Sequence, residues 1–214
     1  MGMMQFAHEH LKTAKGITSY KLLGTGSGKG FNAWPDFSTY ALLVFWENEK
    51  FANNFINESR LFSKYKHHAL ECWTVFHLPL RSHGAWNGEN PFKPDLQPNI
   101  NNNLICVITR ASLNRCKLHQ FWSYVPKINN IIDDQEGLLF YKGIGEWPIM
   151  EMATYSIWKN LDSMKEFAYK ADNHKGAISN AREKNWFKED LFARIQPYKA
   201  IGSWQNRNPL KEFL

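Results

Sequence analysis

The sequence contains an internal repeat, and this repeat restricts the possible folds more than any other feature. Residues 16–21 (GITSYK) recur as residues 137–142 (GLLFYK), and a pair of glycines follows each segment. An apolar run that ends at Trp46 recurs as one that ends at Trp158, and each run is followed by Asn and Phe at the same spacing. Such a repeat predicts two copies of one structural unit in a single chain.

The boundary between the two copies is expected in residues 87–103. This segment contains three prolines and several Asn and Gly residues, a composition typical of a linker. We therefore predict an N-terminal half at residues 1–86, a linker at 87–103 and a C-terminal half at 104–214.

The C-terminal half has the periodicity of a complete ferredoxin-like unit. The apolar residues recur at strand spacing in some segments and at helical spacing in others. They predict, in order, a strand at 104–110, a helix at 113–132, strands at 138–144 and 152–158, helices within 161–184, and a strand at 198–204. This order is β-α-β-β-α-β, the ferredoxin-like arrangement. A short helix at Trp186 to Arg194 is predicted as an addition to it.

The N-terminal half repeats this order but lacks its opening strand. The patterns predict a helix at 3–14, strands at 17–23 and 37–46, helices within 50–72, and a strand at 75–80. A late start of the chain, or a strand supplied by another chain, is expected to account for the difference. The fold class predicted is α+β, with two ferredoxin-like halves forming an α/β barrel.

Cysteine content and hydropathy exclude several classes of protein. The three cysteines form no CxxC pair, which argues against a disulfide framework or a structural zinc site and favours a cytoplasmic location. No signal peptide and no apolar run of about 18 residues occurs, so neither secretion nor a membrane span is expected. The formal charge of +6 favours contact with anionic surfaces, but Lys and Arg are scattered, and no nucleic-acid partner is expected.

A helix after Asp172 carries the strongest candidate ligand. His174, Ala177, Ile178 and Ala181 share one helical face, and their small side chains predict a slot between this helix and the sheet. A neutral histidine beside a flat apolar slot is the arrangement that ligates haem iron, although a packing histidine fits the same pattern. The aromatic residues expected to wall such a slot are Phe140, Trp158, Trp186 and Phe187.

Other candidate motifs are incomplete. The glycine-rich loop at 24–30 is not followed by a helix that could bind phosphate, so we interpret it as a hairpin. The spacing of Cys116 and His119 suits a metal, and further histidines include His77 and His83, but no full ligand set is evident.

Several segments together resemble the spheroidene monooxygenase family. They are residues 20–31, 71–76, 109–111, 143–148, 174–178 and 186–194. The similarity extends from about Met4 to Trp204, and the family's opening strand has no counterpart here. The resemblance implies a dimeric α/β-barrel type of fold.

The resemblance also implies an activity and site residues. It implies a haem b enzyme of carotenoid biosynthesis that uses O₂, and electrons from a donor such as ferredoxin, to insert oxygen into an acyclic carotenoid. His174 is then the axial iron ligand. Arg110 is a candidate for contact with a haem propionate or with bound oxygen, and an edge-strand surface charge is the alternative. Lys142 and Glu146 are candidates for supporting contacts.

Two alternatives to a carotenoid oxygenase stay open at this point. One is another haem enzyme on the same barrel, either peroxidase-like or haem-degrading, and the other is a cofactor-free binding protein. A carotenoid is nearly insoluble in water, so a carotenoid oxygenase with this basic charge is expected to contact the inner face of the membrane peripherally.

Overall fold

The strands within the described residues form one seven-stranded sheet. The computed structural model describes residues 2–28, 34–94, 102–132, 135–170 and 185–214. In chain order the strands are β1 (Ile17–Gly26), β2 (Pro35–Trp46), β3 (Trp73–Gly84), β4 (Ile105–Leu113), β5 (Leu138–Trp147), β6 (Glu151–Trp158) and β7 (Phe187–Gly202). The order across the sheet is β2-β1-β5-β6-β4-β7-β3, and all neighbours are antiparallel.

Helices accompany the sheet in both halves. They are α1 (Gly2–Thr13), α2 (Glu49–Glu58), α3 (Arg60–His68), α4 (Leu118–Ile132) and α5 (Leu161–Lys170), with a short 3₁₀ helix at Arg115–Lys117 before α4. The side chains of Asn48 and Ser59 cap α2 and α3 by accepting hydrogen bonds from backbone N–H groups of the first turn. Among the described residues, no helix has the length and apolar character needed to cross a bilayer.

The second half has the strand order of a ferredoxin-like unit. Its four strands lie in the order β5-β6-β4-β7, so its first strand, β4, is an inner strand between β6 and β7. The helix α4 connects β4 to β5, and α5 follows β6. The predicted α+β class and the ferredoxin-like order of this half are confirmed.

The first half contributes three strands, which lie at the two ends of the sheet. β1 pairs with β5 at Gly24 and Thr25, while β3 pairs with β7 along its whole length. Within the described residues, β2 and β3 each have a strand neighbour on one side only. The place that β4 takes in the second half has no counterpart in the described part of the first half, as predicted.

The sheet curls around a common apolar core. Phe45 of β2, Val75 of β3 and Ile108 of β4 belong to one cluster, although β2 and β3 are the two end strands. We call the side of the sheet that faces this cluster the interior face. The opposite side, the helix face, carries separate clusters around Val107, Phe121 and Leu61.

The prediction of a short helix at Trp186 to Arg194 is wrong, because this segment is the first part of β7. Leu191, Ala193 and Ile195 are buried on the interior face, which is the two-residue alternation of a strand. The charged residues at 188–190 made the segment look helical in isolation. Pairing with β4 on one side and β3 on the other satisfies its backbone and overrides that local preference.

Candidate functional site

A row of small and polar residues crosses the helix face in the second half. Gly143 of β5 lies opposite Thr154 of β6, and Thr154 lies opposite Thr109 of β4. Thr109 is exposed even though β4 is flanked by strands on both sides. We call the area above Gly143, Thr154 and Thr109 the slot. An exposed residue at this position means that the described helices leave part of the inner sheet open.

Apolar clusters close the slot at both ends. At one end Trp158 is almost fully buried and stacks on Phe167 of α5, with 5.3 Å between ring centroids. At the other end Phe121 of α4 contacts the ring of Trp186 edge-on at 5.9 Å, and Phe187 packs on the same cluster. The slot therefore has a floor of small side chains and aromatic ends, which suits a flat apolar ligand.

The predicted wall residues do not all lie together. Trp158, Trp186 and Phe187 are on the helix face, at the ends of the slot. Phe140 is on the interior face, where it contacts Trp73 at 4.8 Å and Trp204 at 5.3 Å between ring centroids. Phe140 therefore cannot wall the slot. A β-bulge next to it on β5 shifts the alternation that the sequence suggested.

The remaining residues predicted for the haem pocket lie outside the described residues. They are His174, Ala177, Ile178 and Ala181. Their roles stay predictions. Among the residues that the structure describes, no group of three or more His, Cys, Asp or Glu side chains is placed to hold a metal ion.

Arg110 is a buried interior residue, which differs from both sequence interpretations. Only 1% of Arg110 is exposed, so it is not a surface charge, and β4 is not an edge strand. Its guanidinium forms ion pairs with Glu189 and Glu151 and donates to Oδ1 of Asn87 at 3.0 Å. Thr109 faces the slot, so its neighbour Arg110 points to the opposite side of the sheet. A group in the slot is therefore out of its reach.

Glu189 is held in its charged form by several donors. Burial raises the pKa of Glu189, but the backbone N–H groups of Gly88 and Asn87 and the charge of Arg110 together lower it. Those N–H groups lie 2.7 and 2.8 Å from the carboxylate oxygens. The Nε of Arg110 is buried and has no hydrogen-bond partner within the described residues. The hydrogen bonds from Asn87 and Gly88 to Glu189 hold the turn that follows β3 in place.

The two candidates for supporting contacts also serve the interior side. Glu146 accepts a hydrogen bond from the indole N–H of Trp86 at 2.6 Å. Lys142 is 7% exposed and donates to the carbonyl of Gly28 at 2.9 Å. Burial lowers the pKa of Lys142, and the nearby charge of Asp36 opposes that effect. Both side chains therefore stabilise interior loops.

A second concave region, the interior cleft, opens between β2 and β3. Interior strand residues of both halves line it, among them Phe45, Val75 and Phe140. In the cleft, Nε2 of His77 lies 2.9 Å from the hydroxyl of Tyr155. Burial raises the pKa of Tyr155 and of Cys106, which interacts with that hydroxyl. The sequence did not single out this pair, because the two residues are 78 positions apart in the chain and only the curl of the sheet brings them together.

Acidification is expected to destabilise the protein through His77. Burial lowers the pKa of His77 to about 3. The unfolded chain therefore binds one more proton than the folded chain below about pH 6.5, so stability is lost as pH falls. We expect the free energy of unfolding of the wild type to fall by up to about 1.4 kcal/mol per pH unit more than that of His77→Gln between about pH 6 and 4.

Urea denaturation at several pH values checks this expectation. His67→Gln replaces an exposed histidine and is the matched control, which should keep the wild-type slope. Equal slopes for the wild type and His77→Gln would show that His77 is not held neutral in the fold.

Curated proteins with similar sequences share a single description. Over 196 residues, the chain is 35% identical to spheroidene monooxygenase of Cereibacter sphaeroides and 34% identical to that of Rhodobacter capsulatus. Each alignment includes 91% of this chain, with 60% of the first protein and 81% of the second. The protein of Rubrivivax gelatinosus is 30% identical over 187 residues, which are 87% of this chain and 71% of that protein. The chain thus spans only 60% of the length of the Cereibacter relative.

Family models and solved structures give no further evidence on the family of this chain. No family model matches the chain. A crystal structure from Fusobacterium nucleatum aligns with 93% of this chain and 84% of its own, at 11% identity and a TM-score of 0.44, too low to support an argument. The identity to the Rhodobacter and Rubrivivax proteins, over most of the length of each, establishes the relationship. The chain belongs to the spheroidene monooxygenase family.

Proposed function

We propose that the chain is a haem-dependent monooxygenase that inserts oxygen from O₂ into an apolar substrate of the acyclic carotenoid type. The observation that carries this proposal is the slot, where Thr109 is left exposed at the centre of the sheet between two aromatic clusters. The names of the relatives support the reaction type and the substrate class.

The described residues of the slot fit a flat macrocycle. Gly143 has no side chain, and Thr109 and Thr154 are small, so the floor is flat, and it is open at Thr109. Trp158 and Trp186 are buried in the clusters that bound the floor at its two ends, so they limit its length. The proposed axial ligand is His174, on the helix that the sequence places over this half.

Each group has a separate task in the proposed reaction. Bound haem supplies the chemistry with dioxygen. The apolar clusters at the ends of the slot exclude water from it. The hydroxyls of Thr109 and Thr154 are the polar groups on the floor, and they are available to orient a polar atom of a ligand.

Two partners belong to the same proposal. The reaction needs external electrons, and a small acidic donor such as ferredoxin suits a chain with a formal charge of +6. An apolar carotenoid is reached at the bilayer, and the same basic charge favours peripheral contact with an anionic leaflet.

Absorption spectroscopy tests the haem proposal. The protein is expressed with a haem precursor, or reconstituted with haem, and compared with His174→Ala. We expect a Soret band in the wild type that is lost or shifted in His174→Ala. His119→Ala changes an exposed histidine and serves as the control, which should keep the band. A wild type without a Soret band after reconstitution would contradict haem dependence.

A cofactor-free binding protein is the second candidate, and the interior cleft favours it. The interior residues that line the cleft are mostly apolar, and the His77–Tyr155 pair offers a polar anchor within it. In this case a carotenoid would bind without a Soret band and without a change in mass. Pigment analysis in a carotenoid-producing host distinguishes the candidates, because the monooxygenase alone increases the pigment mass by that of oxygen.

A further inference from the structure

Two arginines lie side by side at the rim of the slot. In the register of β3 and β7, Arg81 is directly opposite Arg194. The next pair on the same side of these two strands is His83 and Phe192, whose rings stack with 5.3 Å between centroids. Phe192 packs against the helix-face cluster of the second half, so this side of both strands is the helix face. We call Arg81 and Arg194 the arginine pair.

The arginine pair is continuous with the floor of the slot. Phe192 lies directly opposite Thr109, and Arg194 is two residues further along β7 on the same face. Such diagonal neighbours are about 7–8 Å apart, with their Cβ atoms somewhat closer, within reach of a long side chain. A ligand seated over Thr109 is therefore close enough for the guanidinium of Arg194 to contact its edge.

Within the part of the chain that the structure describes, the two guanidinium groups have no counter-charge. Arg81 is exposed and Arg194 is half-buried, and neither has an ion pair or a side-chain hydrogen bond within the described residues. Like charges directly opposite each other on a sheet are destabilising. Arg110, in contrast, is neutralised by Glu189 and Glu151 on the other face. An anionic ligand group between Arg81 and Arg194 would remove the repulsion.

We propose that the arginine pair binds the two carboxylates of a planar dicarboxylate ligand in the slot, which for haem are the propionates. This inference rests on the proposed function for the identity of the ligand. Guanidinium groups match carboxylates in geometry and remain charged at all relevant pH values. In this proposal Arg81 and Arg194, on the helix face, make the propionate contact that the sequence suggested for Arg110.

Porphyrin binding without iron tests the pair separately from ligation by His174. The probes are protoporphyrin IX and its dimethyl ester, in which both carboxylates are blocked, and binding is followed by quenching of tryptophan fluorescence. We expect the wild type to bind the acid at least tenfold more tightly than the ester. The variant Arg81→Met/Arg194→Met should lose roughly tenfold or more of its affinity for the acid and keep its affinity for the ester.

Control variants separate a local contact from general charge or misfolding. Arg60→Met removes an exposed arginine from α3 in the other half and should bind both probes like the wild type. Arg194→Lys keeps the charge and should retain part of the preference for the acid. A urea midpoint that is not lowered in the double variant shows that the fold is intact, and relief of the repulsion is expected to raise it.

The outcomes distinguish this inference from the haem proposal. A His174-dependent Soret band with equal binding of acid and ester overturns the arginine pair and leaves the proposed function standing. Arginine-dependent binding of the acid without such a band supports the pair and contradicts haem ligation. A wild type that binds neither porphyrin overturns both.

Discussion

Arg110→Met is expected to lower the free energy of unfolding by about 3 kcal/mol at neutral pH, because it breaks a buried ion pair. The guanidinium contacts Glu189, Glu151 and Asn87, and it is almost completely shielded from water. Methionine fills much of the same volume but leaves the carboxylate of Glu189 without its cation. Urea denaturation at pH 7 measures the loss.

The effect of Arg110→Met should depend on pH. The folded-state pKa of Glu189 is lowered, so its stabilising contribution exists above the unfolded pKa and is lost as pH falls through the folded value. The penalty of Arg110→Met should therefore shrink below about pH 4. The control Arg110→Met/Glu189→Gln removes both charges and should recover part of the stability at pH 7. A penalty that is independent of pH and unchanged in the double variant would contradict the ion-pair explanation.

The repeat was sufficient to predict the strand order of the second half. Residues 16–21 and 137–142 both open strands, β1 and β5, and the apolar runs that end at Trp46 and Trp158 both form the next strand. Periodicity succeeded here because one face of each strand is buried in each half. The missing strand of the first half followed from the same comparison.

The faces of individual strands were harder to predict. Arg110 looked like a surface charge because its type is rarely buried, yet it faces the interior, and its neighbour Thr109 is the exposed residue. A shift of one residue in register exchanges the two faces of a strand, and local sequence does not fix that register. The positions of Phe140 and Arg110 could therefore be assigned only from the paired sheet.

Contacts between distant strands were beyond the reach of sequence patterns. His77 on β3 meets Tyr155 on β6, although β7 and β4 lie between these strands in the sheet. The contact exists because the sheet curls, which brings interior side chains together across the barrel. Arg81 and Arg194 likewise lie side by side only because β3 of the first half pairs with β7 of the second half.

The corner that follows β3 in the first half is built again after β7 in the second half. After β3, Glu189 binds the backbone N–H groups of Asn87 and Gly88, and after β7, Glu71 binds those of Gln205 and Asn206. A glycine with positive φ ends each strand, Gly84 with φ of 84° and Gly202 with φ of 83°. Both approach a backbone carbonyl of the neighbouring strand where a Cβ atom would collide.

Gly202→Ala is therefore expected to lower the free energy of unfolding by about 2 kcal/mol more than Gly88→Ala. Gly88 has φ of 82°, so both substitutions incur about 1–2 kcal/mol for left-handed backbone. A Cβ at Gly202 also collides with the carbonyl oxygen of Cys72, whereas nothing lies within 4 Å of one at Gly88. Urea denaturation of both variants measures the difference. Equal losses would mean that β3 and β7 can separate at this corner without cost, and that the conformation of glycine alone is required there.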